Sequence, residues 1–119
     1  MPDLAAVVIH CRDPYLLAAF WSEVTGLPVA DEDRAKLADR ALGPTESVLL
    51  RDPHGHRLDV WISPTPEPAA PGRMHLDLVG DAEERAAVLD AGATVVRELP
   101  GWTVLADPEG NEFCLHPRS

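Results

Sequence analysis

Basic residues are scarce in this chain: ten Lys and Arg stand against twenty Asp and Glu, for a formal net charge of −10. A protein that grips nucleic acid through its phosphates concentrates cations, and no stretch here does so, which removes nucleic acid from the expected partners. Cysteine is scarce as well. Cys11 and Cys114 are the only two, too few to staple a small secreted scaffold. No apolar run approaches the ~20 residues that a membrane-crossing helix needs. The first residues, MPDLA, carry neither a basic leader nor an apolar signal segment. The expectation is a soluble cytoplasmic protein that does not engage a membrane. What is present is enough for one domain: 119 residues, 45% of them hydrophobic, can bury a sizeable core.

The most informative feature is an internal echo. LRDPHGHRLDV at residues 50–60 returns as LADPEGNEFCL at 105–115. Each copy is an apolar strand, then Asp-Pro-x-Gly, then a second strand. That tetrapeptide is turn chemistry: Asp bonds nearby backbone, Pro fixes φ and Gly takes the left-handed position. Upstream, residues 6–29 run strand, Asp13, helix, Gly26, Leu-Pro-Val; residues 74–96 run strand, Asp81, helix, Gly92, Ala-Thr-Val-Val.

The periodicities predict a strand over 4–11, then a helix capped by Asp13, opened by Pro14 and stopped by Gly26. Leu16, Leu17, Phe20, Trp21 and Val24 form its apolar stripe. A short helix is expected over 32–42, closed by Gly43 and Pro44, with strands at 46–51 and 57–63. Residues 64–72 hold four prolines and read as a semi-rigid linker. After it come a strand at 74–79, a helix from a capping box of Asp81 and Glu84 to Gly92, and strands near 94–98, 102–106 and 111–116. The fold class is α+β, one domain over 1–119, with module one at 1–63 and module two at 73–119.

Strand alternation then sorts the side chains by face. Ala6, Val8 and His10 share one; so do Arg57, Asp59 and Trp61; so do His75, Asp77 and Val79; so do Glu112, Cys114 and His116. An inward Asp59 needs a partner, and Arg57 is the candidate. Trp61 and Trp102 suit either core packing or the wall of a ligand cavity. Trp21 reads as core, and His54 and His56 as exposed turn residues. Cys114 reads as a small buried apolar residue ahead of a nucleophile.

The order of elements, the paired Asp-Pro-x-Gly turns, HLDL at 75–78 and DPEGNEFCL at 107–115 together resemble the vicinal oxygen chelate superfamily, in particular its glyoxalase-like domains. The resemblance covers nearly the whole chain. It implies two tandem βαβββ modules whose curled mixed sheets surround a small-molecule cavity, the glyoxalase/bleomycin resistance fold. Metal-using members place ligands at positions matching Ala6, Asp59, His75 and Cys114. Ala6 has no donor atom, so no cofactor is fixed; a divalent metal (Zn, Ni or Fe) on His75, Asp59 and Cys114 is the alternative left open. Extradiol dioxygenase chemistry needs two His and a carboxylate, and this set does not supply them.

The function expected is a glyoxalase-like enzyme of lyase or isomerase type, in which one group takes a proton beside a carbonyl and another stabilises the enolate. His75, Asp59 and Glu112 are the catalytic candidates; Trp61, Asp77, Cys114, His10 and Trp102 are the ligand-binding ones. The competing expectation is a metal-free protein that sequesters a small molecule, as in bleomycin resistance. A small-molecule ligand and a homodimeric state complete the reading.

Overall fold

The computed structural model describes residues 5–65 and 76–118. The linker expected at 64–72 and the candidate His75 therefore lie mostly or wholly outside the described residues. The chain divides into two compact units, Met1–Pro68 and Ala69–Ser119.

In the first unit, β1 (Ala6–Cys11) leads into α1 (Pro14–Thr25). The Asp13 carboxylate accepts the N–H groups of Tyr15 and Leu16 at 3.0 and 3.2 Å, satisfying donors that a helix start leaves open. Gly26 ends the helix at φ 74°, a conformation that costs a side chain. Next come α2 (Asp31–Ala38), β2 (Val48–Leu50) and β3 (Asp59–Pro64). The sheet order is β1-β3-β2, with β1 parallel and β2 antiparallel to β3. Ile9, Cys11, Val60, Ile62, Val48 and Leu50 are buried, as are Leu17, Ala18, Phe20 and Trp21 of α1, which contacts β2 and β3. Each such Leu, Ile or Phe contributes about 1.5–3 kcal/mol.

A third strand after α1 is reduced to one bridge, Val29 opposite Leu50. The Arg51 N–H donates to Pro28 O and the Ala30 N–H to Leu49 O, but Pro28 has no N–H to offer and α2 begins at Asp31. The buried carboxylate of Asp33 accepts the Leu49 N–H at 2.9 Å, so α2 closes on the edge that the missing strand would cover.

The second unit is the fuller copy: β4 (Leu76–Val79), α3 (Ala82–Asp90), β5 (Thr94–Leu99), β6 (Trp102–Ala106) and β7 (Glu112–His116). Its sheet order is β4-β7-β6-β5, with β4 parallel to β7 and the rest antiparallel. Asp81 and Glu84 form the expected capping box. The ladder of β5 on β6 skips between Val95 and Arg97, a bulge on the outer strand.

Both repeat turns are anchored alike. Asp52, 6% exposed, accepts the N–H groups of His54 and His56; Asp107, 3% exposed, accepts those of Glu109 and Asn111 and the Asn111 side-chain amide. Arg57 does not partner Asp59 as the sequence suggested. Its guanidinium lies 3.5 Å from Asp52 and donates to the Thr25 carbonyl at 2.9 Å.

Candidate functional site

α3 lies on one face of the second sheet, where the Arg85 guanidinium donates to Thr103 Oγ1 at 3.2 Å; on that face too a side chain at Gly80, just before α3, would meet Leu115 Cδ1 at 3.3 Å. Thr103 and Leu115 are directly paired. Alternation therefore turns Asp77, Trp102, Val104, Glu112, Cys114 and His116 to the opposite face.

On that face the register sets Asp77 beside Cys114 and Val79 beside His116 across β4 and β7. His116 Nε2 lies 3.4 Å from Asp77 Oδ1, with both side chains partly open to solvent. The Trp102 indole stacks on the same imidazole, centroids 6.0 Å apart and planes 24° from parallel. Cys114 is buried and is the register partner of Asp77 across the ladder. Burial pushes its thiol up from the ordinary range, the Asp77 charge adds to this, and Arg97 opposes it. The outcome is a protonated, poorly nucleophilic sulfur beneath an Asp–His pair. Glu112 is half-buried on the same strand, opposite Ala106.

Trp102 also borders an open cleft of about 450 Å³ on the α3 side, where Arg85, Glu98, Arg118, Thr103 and Leu115 contribute to the lining. Its guanidinium groups are already engaged: Arg85 with Glu98 and Thr103, Arg118 with both oxygens of Glu84. Arg118 and the Asp81 N–H together hold the Glu84 carboxyl down to about 2.

In the first unit the face away from α1 carries Ala6, Val8 and His10 beside Asp59, Trp61 and Ser63, paired one to one. Val8 and His10 are exposed, and Asp59 and Trp61 half-buried. Ser63 Oγ accepts a hydrogen bond from Ser47 at 3.1 Å, so a polar row formed with His10 flanks an apolar row of Val8, Trp61 and Leu49.

Of the residues named from sequence, Asp77, Cys114, Trp102 and Glu112 share one face of the second unit, and Asp59, Trp61 and His10 one face of the first. His116 was grouped by alternation but not singled out, because the resemblance points to Cys114 two residues earlier. A histidine on the face of Asp77 with a tryptophan on the adjoining strand was the signal available.

The chain belongs to the glyoxalase-like domain family, whose model matches residues 6–116. Its fold is shared by a glyoxalase/bleomycin resistance protein/dioxygenase family enzyme from Burkholderia phytofirmans PsJN, 20% identical with a TM-score of 0.68 over 98% of each chain. A glyoxalase/bleomycin resistance protein from Albidiferax ferrireducens T118 is 22% identical, with a TM-score of 0.63 over 98% of each chain. A variant of the fosfomycin resistance protein FosX from Listeria monocytogenes, complexed with Mn(II) and 1S,2S-dihydroxypropylphosphonic acid, is 13% identical, with a TM-score of 0.73 over 100% of this chain and 94% of that one. At these identities the structures show the shared fold alone. Among curated proteins, none matches this sequence.

A divalent metal of the kind seen in that FosX complex needs converging anionic or imidazole donors. Among the described residues no three His, Cys, Asp or Glu side chains are grouped to hold one. Ala6 supplies no donor, and His75 lies outside the described residues. The described donors do not group into a metal centre.

Proposed function

We propose that this chain is a small-molecule enzyme that moves a proton next to a carbonyl, a lyase or isomerase reaction, and does so without a metal. The observation that supports this most is the Asp77–His116 pair stacked on Trp102. An imidazole oriented by a carboxylate is suited to general acid–base work, and the indole offers a flat surface for the substrate. Glu112, on the same face, remains a candidate for the second proton-handling group, and Asp59 a catalytic candidate of the first unit on the sequence argument. Trp61 and His10 are proposed as ligand contacts, and His75 stays a candidate base on the sequence argument. The reading takes the protein to be cytoplasmic and homodimeric.

The test is proton exchange in D2O, followed by NMR over a panel of 2-oxo acids, hydroxyketones and thiol–aldehyde adducts. The expected result is catalysed loss of one C–H signal, slowed about 100-fold or more in His116→Gln. A second reading, a binding protein without catalysis, is favoured by Ala6, which offers no donor at a position where metal-using members place a ligand. It prevails if panel compounds raise the melting temperature yet exchange no proton. Neither exchange nor stabilisation by any compound would reject both.

A further inference from the structure

On the α3 face of the second sheet, opposite the Asp77–His116 pair, the open cleft of about 450 Å³ already holds a carboxylate at two points. That carboxylate is the chain's own Glu98. Its Oε1 accepts from Arg85 Nη2, and its Oε2 accepts from the Thr103 hydroxyl at 3.2 Å. The other guanidinium nitrogen, Nη1, donates to the Thr103 oxygen at 3.2 Å, which leaves the hydroxyl proton to point at the carboxylate. Thr103 is 5% exposed and sits on a strand paired on both sides, so this donor is fixed in place. Arg85 and Thr103 form a fork that takes both oxygens of one carboxylate. Arg85 chiefly, with Thr103 adding, holds the Glu98 carboxyl below its ordinary range, so the fork favours an ionised occupant.

The occupant is less firmly placed than its donors. Glu98 lies on the outer strand β5 with its side chain 57% exposed, and an ion pair this open adds little to the fold. Turning Glu98 into water loses nothing at the fork that an incoming carboxylate does not restore. We propose that the Arg85–Thr103 fork is a binding site for a small monocarboxylate with an apolar body, which takes the place that Glu98 holds in the free protein. The apolar body follows from the rest of the wall: Leu99, Trp102, Leu115 and Pro117 border the same cleft, and its volume falls in the range of small-molecule sites. The single charge follows from the neighbours. A second negative charge on the ligand would face Asp81, while Arg118 is already committed to both oxygens of Glu84.

The test titrates benzoate, with benzamide as its uncharged counterpart, into 15N-labelled protein and follows the backbone amide signals. Benzoate is expected to shift Leu99, Gly101 and Thr103 saturably, and benzamide to leave them in place. Arg85→Ala should weaken benzoate about 10-fold or more, because a hydrogen bond to a charged partner is lost. Thr103→Val, which keeps the shape and removes the hydroxyl, should weaken it as well. Glu98→Ala, which empties the fork, should tighten benzoate about 2- to 5-fold. The sign of that change is decisive: weaker or unaltered binding in Glu98→Ala overturns the proposal, and it can be read even if Arg85→Ala does not fold. An equal response to benzamide, the absence of any saturable shift, or shifts confined to Asp77, Val79 and Cys114 on the opposite face would overturn it too. Displacement of benzoate by an equal concentration of inorganic phosphate would overturn the preference for a single charge on an apolar body.

Discussion

In the second unit three full strands follow the helix and pair in one sheet; in the first, α2 takes up the intervening chain and only Val29 bridges to the ladder. The turns before the last strand are nonetheless near copies, each built on a buried Asp that accepts backbone N–H groups two and four residues ahead. The contrast separates what the repeat requires from what it tolerates. A strand can shrink to a single bridge when a helix with a buried carboxylate closes the gap, as Asp33 does through Leu49. The turn cannot drift in the same way, because its buried carboxylate would be left without donors.

The strongest way to break this comparison is to empty each core in turn. Trp21→Ala in the first unit and Phe113→Ala in the second remove side chains that are 1% and 0% exposed. Each is expected to cost about 3–5 kcal/mol by urea denaturation. Hydrogen exchange should then quicken chiefly in β2 and β3 for the former, and in β6 and β7 for the latter. Equal acceleration everywhere would mean the two units open as one body.

The turns give a smaller, sharper contrast. Asp52→Ala and Asp107→Ala should each cost about 1–3 kcal/mol, since removing the acceptor leaves part-buried N–H groups without a partner. Asp107 should be the costlier, because it also accepts the Asn111 side-chain amide at 2.8 Å. Asn111→Ala made in the same background should erase the difference between the turns; if it persists, the extra bond is not its source.

The smallest effect concerns acid. The Glu84 carboxyl lies well below its ordinary 4.5, at about 2, chiefly through Arg118. A carboxylate lowered on folding stabilises the native state above its unfolded pKa, and that contribution is lost as pH falls through the folded value. Melting temperatures measured between about pH 5 and pH 2 should therefore fall less steeply in Arg118→Ala than in the wild type. Lys36 lowers Glu46 in the first unit in the same sense, so Lys36→Ala should flatten the curve too. Both pairs are solvent-exposed, and salt should weaken both contributions.

Much of the fold was legible because it is written in local chemistry. Asp13 with Pro14 and Gly26, Asp81 with Glu84, and the two Asp-Pro-x-Gly turns each declare a boundary that needs no distant partner. What could not be read depended on long-range pairing. Leu-Pro-Val at 27–29 has strand composition, yet whether it pairs over three residues or one is decided by where α2 begins. Arg57 shares a strand face with Asp59 by alternation, but it sits before β3 begins, where the chain turns it toward Asp52 and Thr25 instead. At the site, period-two alternation alone groups Glu112, Cys114 and His116. The stacking of His116 on Trp102 required knowing that β6 and β7 are neighbours.

The bulge on β5 has a consequence for how this protein behaves in crowded solution. β5 is an outer strand, and Val95 and Val96 are each 44% exposed on it. An unbroken outer strand with two adjacent valines would be a template on which further chains could add and grow into fibres. The skip between Val95 and Arg97 puts the amides out of step for a straight incoming strand, and Arg97 and Glu98 set charges beside the valines. Trimming one residue from that kink would straighten the margin of the sheet and turn a self-limiting molecule into an adhesive one.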